Sequence, residues 1–285
     1  MNDLEWIDER TGCVVAILFL ELSGYRFTAR RGNTGRRRMI ECELDIATAD
    51  GAMNSWTVRP DDEGPLPVVI MLMDAPGVRD GLKEICRRIA QSGYYVLLPN
   101  LYYRTTREFV LGPTREHPDA EANLKRMFAM VGSITNDRIA ADTGAVLDRL
   151  PSLPDARPGK VGLVGYCMSG AFVTVAAARH PDRIGCFASY YGTRLITDKP
   201  DSPHLMLGDI TAEGYYAFAE HDTYVPLDQV AAFETLLAAA PFPSRSEIES
   251  GTHHGYAFSD RGNLNEAARE KHYERMLALY RCHIG

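Results

Sequence analysis

The chain lacks an excess of positive charge, closely spaced cysteines and any long apolar run, and each absence excludes a class of function. Lysine and arginine number 31 against 38 aspartates and glutamates, for a formal net charge of −7. Coating nucleic acid requires a positive field that displaces counterions, so no nucleic-acid partner is expected. The hydrophobic run near the start, Val14 to Leu20, is far shorter than the ~20 residues that cross a bilayer. The first ten residues are acidic rather than basic, unlike the start of a secretory signal. Neither membrane attachment nor secretion is therefore expected, and the expected location is cytoplasmic. The six cysteines (Cys13, Cys42, Cys86, Cys167, Cys186 and Cys282) form no CxxC pair and no short Cys/His cluster of zinc spacing. No metal and no other cofactor is expected. Most of these thiols read as small buried hydrophobes in a reducing compartment.

What is present is ample for one large domain. In 285 residues, 45% are hydrophobic and 24% charged, close to the averages of globular proteins. Residues 1–38 stand apart and end in a basic patch (Arg26, Arg30, Arg31, Arg36, Arg37, Arg38) with no period. They are expected to be an N-terminal extension, disordered or outside the native domain, with Met39 as the natural start. Residues 39–285 are expected to form a single domain.

From Ile40 the pattern is regular. Ile40–Ala47 and Met53–Val58 flank the turn dipeptide Asp50-Gly51 and read as a strand pair. Val68–Met73, Tyr94–Leu98 and Lys160–Tyr166 are continuous apolar runs, as expected of strands buried on both faces. Asp80–Ser92 has helical spacing, with Leu82, Ile85 and Ile89 on one side and Gly93 as the stop. Residues 104–117 read as a polar loop beside a pocket, followed by helices at 119–130 and 135–150. Met168–Arg179 is an Ala-rich helix, and strands at 184–190, 214–219 and 244–249 follow, with helices at 227–240 and 263–282. Strands alternating with helices predict a mostly parallel, doubly wound α/β sheet flanked by helices.

The chemistry concentrates at Gly165-Tyr166-Cys167-Met168-Ser169-Gly170, between a buried strand and a small-residue helix. A strand that turns at once into a helix presents the turn residue above the carboxyl edge of the sheet, and small neighbours allow the tight packing. Cys167 is thus the candidate nucleophile, with the N–H of Met168 aimed at a developing oxyanion. The helix N-terminus favours thiolate over thiol. Two partners are needed, each after a later strand. Asp222 ends the run Tyr215–Glu220-His221-Asp222 and is the candidate acid, with Glu220 as competitor. The candidate base lies in Gly251-Thr252-His253-His254-Gly255-Tyr256, where chemistry alone leaves two adjacent histidines open.

Together these motifs resemble the dienelactone hydrolase family of α/β-hydrolases, over residues 40–282. The resemblance rests on Thr48-Ala49-Asp50-Gly51-Ala52-Met53, Pro99-Asn100-Leu101-Tyr102-Tyr103-Arg104, the Cys167 elbow, Glu220-His221-Asp222 with Val225-Pro226, and His254-Gly255-Tyr256 with Arg261. It implies the α/β-hydrolase fold and a Cys167–Asp222–His254 triad, choosing His254 over His253. It further implies that Asp74, where the family has a longer glutamate, poises the resting thiol, that the N–H of Ala75 is the second oxyanion donor, and that Arg104 binds a substrate carboxylate. Phe258 stands where some members carry a second arginine, which weakens recognition of a carboxylate-bearing lactone. The expected activity is hydrolysis of a small-molecule ester or lactone by a monomer or small homo-oligomer. The rival expectations are a broad carboxylesterase or thioesterase and a non-catalytic, redox-sensitive protein on the same scaffold.

Overall fold

The computed structural model describes residues 37–62, 64–111 and 119–285, together with the backbone of three short strands before them. Eight strands carry the fold: β1 (Met39–Thr48), β2 (Gly51–Pro60), β3 (Val68–Leu72), β4 (Tyr95–Pro99), β5 (Val161–Tyr166), β6 (Ile184–Tyr190), β7 (Glu213–His221) and β8 (Ser244–His253). Six helices accompany them: α1 (Asp80–Gln91), α2 (Ala120–Ser133), α3 (Asn136–Arg149), α4 (Met168–Arg179), α5 (Leu227–Ala239) and α6 (Glu266–His283).

These strands lie in one sheet in the order β8-β7-β6-β5-β3-β4-β2-β1. From β4 through β8 neighbouring strands run parallel, while β2 is antiparallel to both β1 and β4. β3, β4, β5 and β6 are buried along their whole length, which is why each reads as an unbroken apolar run and needs a helix on either face. α1 shows the complement: Leu82, Ile85, Cys86 and Ile89 are buried, while Glu84 and Arg88 on the other side face water. Outside β1, the backbone of Arg26–Arg30 continues the sheet antiparallel, with Arg30 opposite Met39. Apart from this strand and a two-stranded ribbon (Trp6–Ile7 with Val14–Val15), the expected 1–38 extension lies outside the described residues as far as Arg36.

The chain leaves β3 for β4 on one side and returns as β5 on the other. This reversal opens a crevice beyond the carboxyl ends of β3 and β5, where open α/β sheets bind their ligands. Several boundaries differ from the sequence reading, among them 119–130, observed as Ala120–Ser133, and two that have a visible cause. α6 begins at Glu266 rather than 263, because the Asn265 side chain caps it by accepting the Ala268 N–H at 3.1 Å. β8 runs on to His253 instead of stopping at 249, pairing with β7 past an irregularity between Ala219 and His221 that sets His221 opposite His253.

Candidate active site

Cys167 is the single residue between the end of β5 and the start of α4, with φ 56° and ψ −119°. A non-glycine residue in this region stores about 1–3 kcal/mol of strain and persists only where its surroundings over-determine it. Here they do. The Cys167 N–H donates to the Tyr190 carbonyl on β6 at 3.1 Å, and the Cys167 carbonyl accepts from Gly170 and Thr193 at 3.1 and 3.0 Å. The buried Ser169 hydroxyl donates to the Met73 carbonyl at the end of β3. A Cβ at Gly165 would fall 2.1 Å from the Ser169 carbonyl oxygen, and one at Gly170 would fall 2.3 Å from the Gly192 Cα. Glycine is therefore required at both places. Elsewhere in the core, burial pushes the Cys42 thiol up to about 11 and raises the Cys86 and Cys186 thiols further. Cys167 is half-buried at the crevice.

Asp222 follows β7, with its side chain 1% exposed. Its Oδ1 accepts the Tyr224 N–H at 2.8 Å, and its Oδ2 accepts from His254 Nδ1 at 2.7 Å. His254 follows β8 directly, and its ring lies between Tyr191 and Tyr224, at centroid distances of 4.9 and 4.8 Å. Its Nε2 is buried and makes no full hydrogen bond, although the Cys167 thiol is close enough to act on it. Burial alone would lower the imidazole's pKa, but hydrogen bonding and charge from Asp222 and Cys167 outweigh it and lift it from 6.5 to about 10. The competing residues point elsewhere. His253 is exposed and its Nδ1 donates to the His221 carbonyl at 3.2 Å, while Glu220 accepts the Gly251 N–H at 2.7 Å. Cys167, Asp222 and His254 are thus brought together, and His253 and Glu220 are not.

Met168 is the first residue of α4, where a helix leaves its N–H groups without intrahelical partners and carries positive potential. Ala75 lies just beyond β3, the strand hydrogen-bonded to β5 with Leu72 opposite Gly165. Its carbonyl is fixed by the Tyr102 hydroxyl at 2.7 Å, and the turn it belongs to is closed by Gly77 N–H donating to the Asp74 carbonyl at 3.1 Å. The two residues therefore follow adjacent strands, β5 and β3, at the same edge of the sheet.

The remaining two residues have partners that the sequence did not foretell. Asp74 is buried and ion-paired with Arg79, whose Nε donates to Asp260 at 2.9 Å and whose guanidinium lies 4.5 Å from the Phe258 ring centroid. Burial pushes the Asp74 carboxyl up and the Arg79 charge opposes it. The carboxylate expected to meet the thiol is thus held by an arginine. Arg104 is engaged twice. Its Nη1 and Nη2 donate to Asp142 at 2.7 and 2.8 Å and its Nε to Asp50 at 2.6 Å, a bidentate pair plus a third bond.

Arg79, Asp260, Tyr191 and Tyr224 were missed by the sequence reading. Tyr191 was within reach of it, because it follows β6 at the carboxyl edge where site residues gather. Arg79 and Asp260 carried no local signal. Among the described residues, no group of three or more His, Cys, Asp or Glu side chains is arranged to hold a metal ion. No described helix is long and apolar enough to cross a membrane.

Comparison with known proteins agrees with this architecture. The profile of the Dienelactone hydrolase family matches residues 53–284. The proteins named "Putative carboxymethylenebutenolidase" in Synechocystis sp. and Escherichia coli strain K12 are 25% and 26% identical to this chain over 232 and 241 residues. Those matches cover 80% and 82% of this chain, and 91% and 83% of the relatives. Among solved structures, a dienelactone hydrolase-like promiscuous phosphotriesterase from metagenomic libraries superposes with a TM-score of 0.71 at 18% identity, covering 87% of this chain and 99% of that one. The chain belongs to the dienelactone hydrolase family and is a hydrolase of that type on the α/β-hydrolase fold.

Proposed function

We propose that the protein hydrolyses an activated ester or lactone through a Cys167–Asp222–His254 triad and a thioester acyl-enzyme. One observation carries this reading: a cysteine held at φ 56° between strand and helix, beside an imidazole fixed by a buried carboxylate at 2.7 Å. The Cys167 thiol gives its proton to His254 Nε2, the sulfur attacks the carbonyl carbon, and the oxygen takes up negative charge facing the N–H groups of Met168 and Ala75. Each such donor is worth about 3–4 kcal/mol of barrier. Collapse breaks the C–O bond, and the departing oxygen takes its proton from the His254 imidazolium. Acylation also removes the influence of the Cys167 sulfur, which together with Asp222 raises the imidazole's pKa. His254 then becomes a competent base and takes a proton from water; the resulting hydroxide adds to the thioester, and collapse breaks the C–S bond, releasing the acid and returning the Cys167 sulfur beside the protonated His254. Asp222 keeps Nδ1 protonated throughout, leaving Nε2 to move the proton.

The test is Cys167→Ala. Hydrolysis of lactones and aryl esters should disappear while the variant still folds, with the far-UV circular dichroism of the wild type. Undiminished turnover in that variant would refute the assignment.

A second reading, a broad carboxylesterase or thioesterase, is favoured by a separate observation. Arg104 spends its donors on Asp142 and Asp50, and the buried Phe258 stands where a second arginine would be. Neither place offers a free guanidinium to a substrate carboxylate. Comparing a carboxylate-bearing enol-lactone with neutral esters of similar size separates the two readings. A cytoplasmic setting remains part of the proposal, supported by the unpaired thiols of Cys42, Cys86, Cys167, Cys186 and Cys282.

A further inference from the structure

A second histidine is buried near the nucleophile and takes no part in the chemistry above. His272, on α6, is 1% exposed. Its Nδ1 donates to the Arg269 carbonyl at 3.2 Å, which leaves Nε2 to accept the Tyr166 hydroxyl at 2.6 Å. Because a carbonyl can only accept, these partners fix the tautomer. Burial pulls the imidazole's pKa down to about 3, so the ring stays a neutral acceptor at working pH. The backbone of His272 is used as well: its carbonyl accepts the Tyr190 hydroxyl at 3.0 Å, with the Tyr190 ring edge-on to the imidazole at 4.3 Å.

Both tyrosines bear on the nucleophile. Tyr166 immediately precedes Cys167, and the Tyr190 carbonyl holds the Cys167 N–H. Their rings stack at 5.3 Å with 17° between planes, and Tyr166 also packs on Tyr191, the residue whose ring lies against His254. Filling this space would take only apolar side chains. Burying an imidazole and two hydroxyls instead costs desolvation, which is offset only when every polar atom is paired, and the pairs then impose direction as well as contact.

We propose that His272 is a positioning residue for the nucleophile. Gripping Tyr166 and Tyr190 together, it sets the rotation of the elbow and so the place of the Cys167 sulfur relative to the Met168 and Ala75 N–H groups and His254 Nε2. The inference rests on Cys167 being the nucleophile. Three variants test it: His272→Leu removes the acceptor, His272→Gln keeps one, and Tyr166→Phe removes a single oxygen. At a temperature where all are folded, the Leu and Phe variants should lose about 10- to 100-fold in kcat on an aryl ester, the scale of a sub-ångström to ångström misplacement, with KM little changed. His272→Gln should recover most of the loss. Equal losses in the Leu and Gln variants, or losses that follow the melting temperature alone, would overturn the proposal. Should His272→Leu not fold, Tyr166→Phe decides by the same kcat criterion. Alkylation of Cys167 by iodoacetamide, followed on its own peptide, separates this proposal from the proposed function. If wild-type protein cleaves no ester, the hydrolytic reading fails, yet a changed alkylation rate in Tyr166→Phe still supports positioning. An unchanged rate overturns it.

Discussion

Replacing Asp222 by Asn is the sharpest perturbation of the proposed triad, because it keeps the shape and changes the charge. Asn can still accept the Tyr224 N–H through its oxygen, the bond that Asp222 Oδ1 makes at 2.8 Å. Facing His254, however, its amide would donate to Nδ1, forcing the proton onto Nε2 and removing the lone pair that must take a proton. In an analogous serine triad this change costs about 10⁴ in kcat. The same substitution alters stability with a definite sign. The folded imidazole is raised from 6.5 to about 10, so its contribution is fully present below pH 6.5 and is lost as pH rises through about 10. A lift of that size corresponds to a ceiling of ~5 kcal/mol, shared between Asp222 and Cys167 as its two sources. Urea unfolding of wild type and Asp222→Asn across pH 6 to about 10.5 isolates the Asp222 share, since other groups titrate alike in both. The wild type should lose more stability than the variant across this window. Parallel curves, or a kcat within about tenfold of wild type, would refute the reasoning.

Three further outcomes are expected. Gly165→Ala should destabilise by about 1–3 kcal/mol and lower kcat, because the new Cβ meets backbone rather than a yielding side chain; an unshifted urea midpoint would contradict it. Arg79→Met should cost about 3–5 kcal/mol by leaving Asp74 buried and unpaired, and adding Asp74→Asn should recover part of that loss; calorimetry that finds the two losses simply adding would count against the pair. Arg104→Gln should lower stability while leaving KM for a carboxylate-bearing lactone within about twofold, since the guanidinium is already committed; a steep rise in KM would restore it as a substrate anchor.

Legibility in the sequence followed locality. Strands β3, β5 and β6 are buried on both faces and announce themselves as apolar runs, and the 184–190 strand is found with those bounds. β8 is a half-exposed edge strand whose residues Ser244–His253 have no such run, so its last turn toward His254 is set by pairing with β7 rather than by pattern. The elbow was legible for the same reason as the central strands, because its glycines and serine all lie within a few residues of Cys167. Asp222 and the His253-His254 pair could be read from strand ends, with His254 chosen by the family resemblance, though the bond between Asp222 and His254 spans 32 residues. The Arg79–Asp260 contact spans 181 residues and had no signature at either end. Arg104 shows the limit of a motif: it pointed to a role in binding but carried no sign of the carboxylate 38 residues away on α3 that pairs with its guanidinium.

The location of the proposed nucleophile is consequently a property of the sheet more than of its own turn. A residue at φ 56° relaxes if its neighbours allow it, and the neighbours of Cys167 come from three adjacent parallel strands: Met73 beyond β3 through the Ser169 hydroxyl, Gly165 on β5, and Tyr190 on β6 through the backbone. The two candidate oxyanion donors are tied by the same bonds, since Ser169 anchors the turn that carries Met168 to the carbonyl two residues before Ala75. Strain in the turn and spacing of the donors are therefore coupled. A change that relaxes one must widen the other, so substitutions in this shell should lower kcat before they lower substrate affinity.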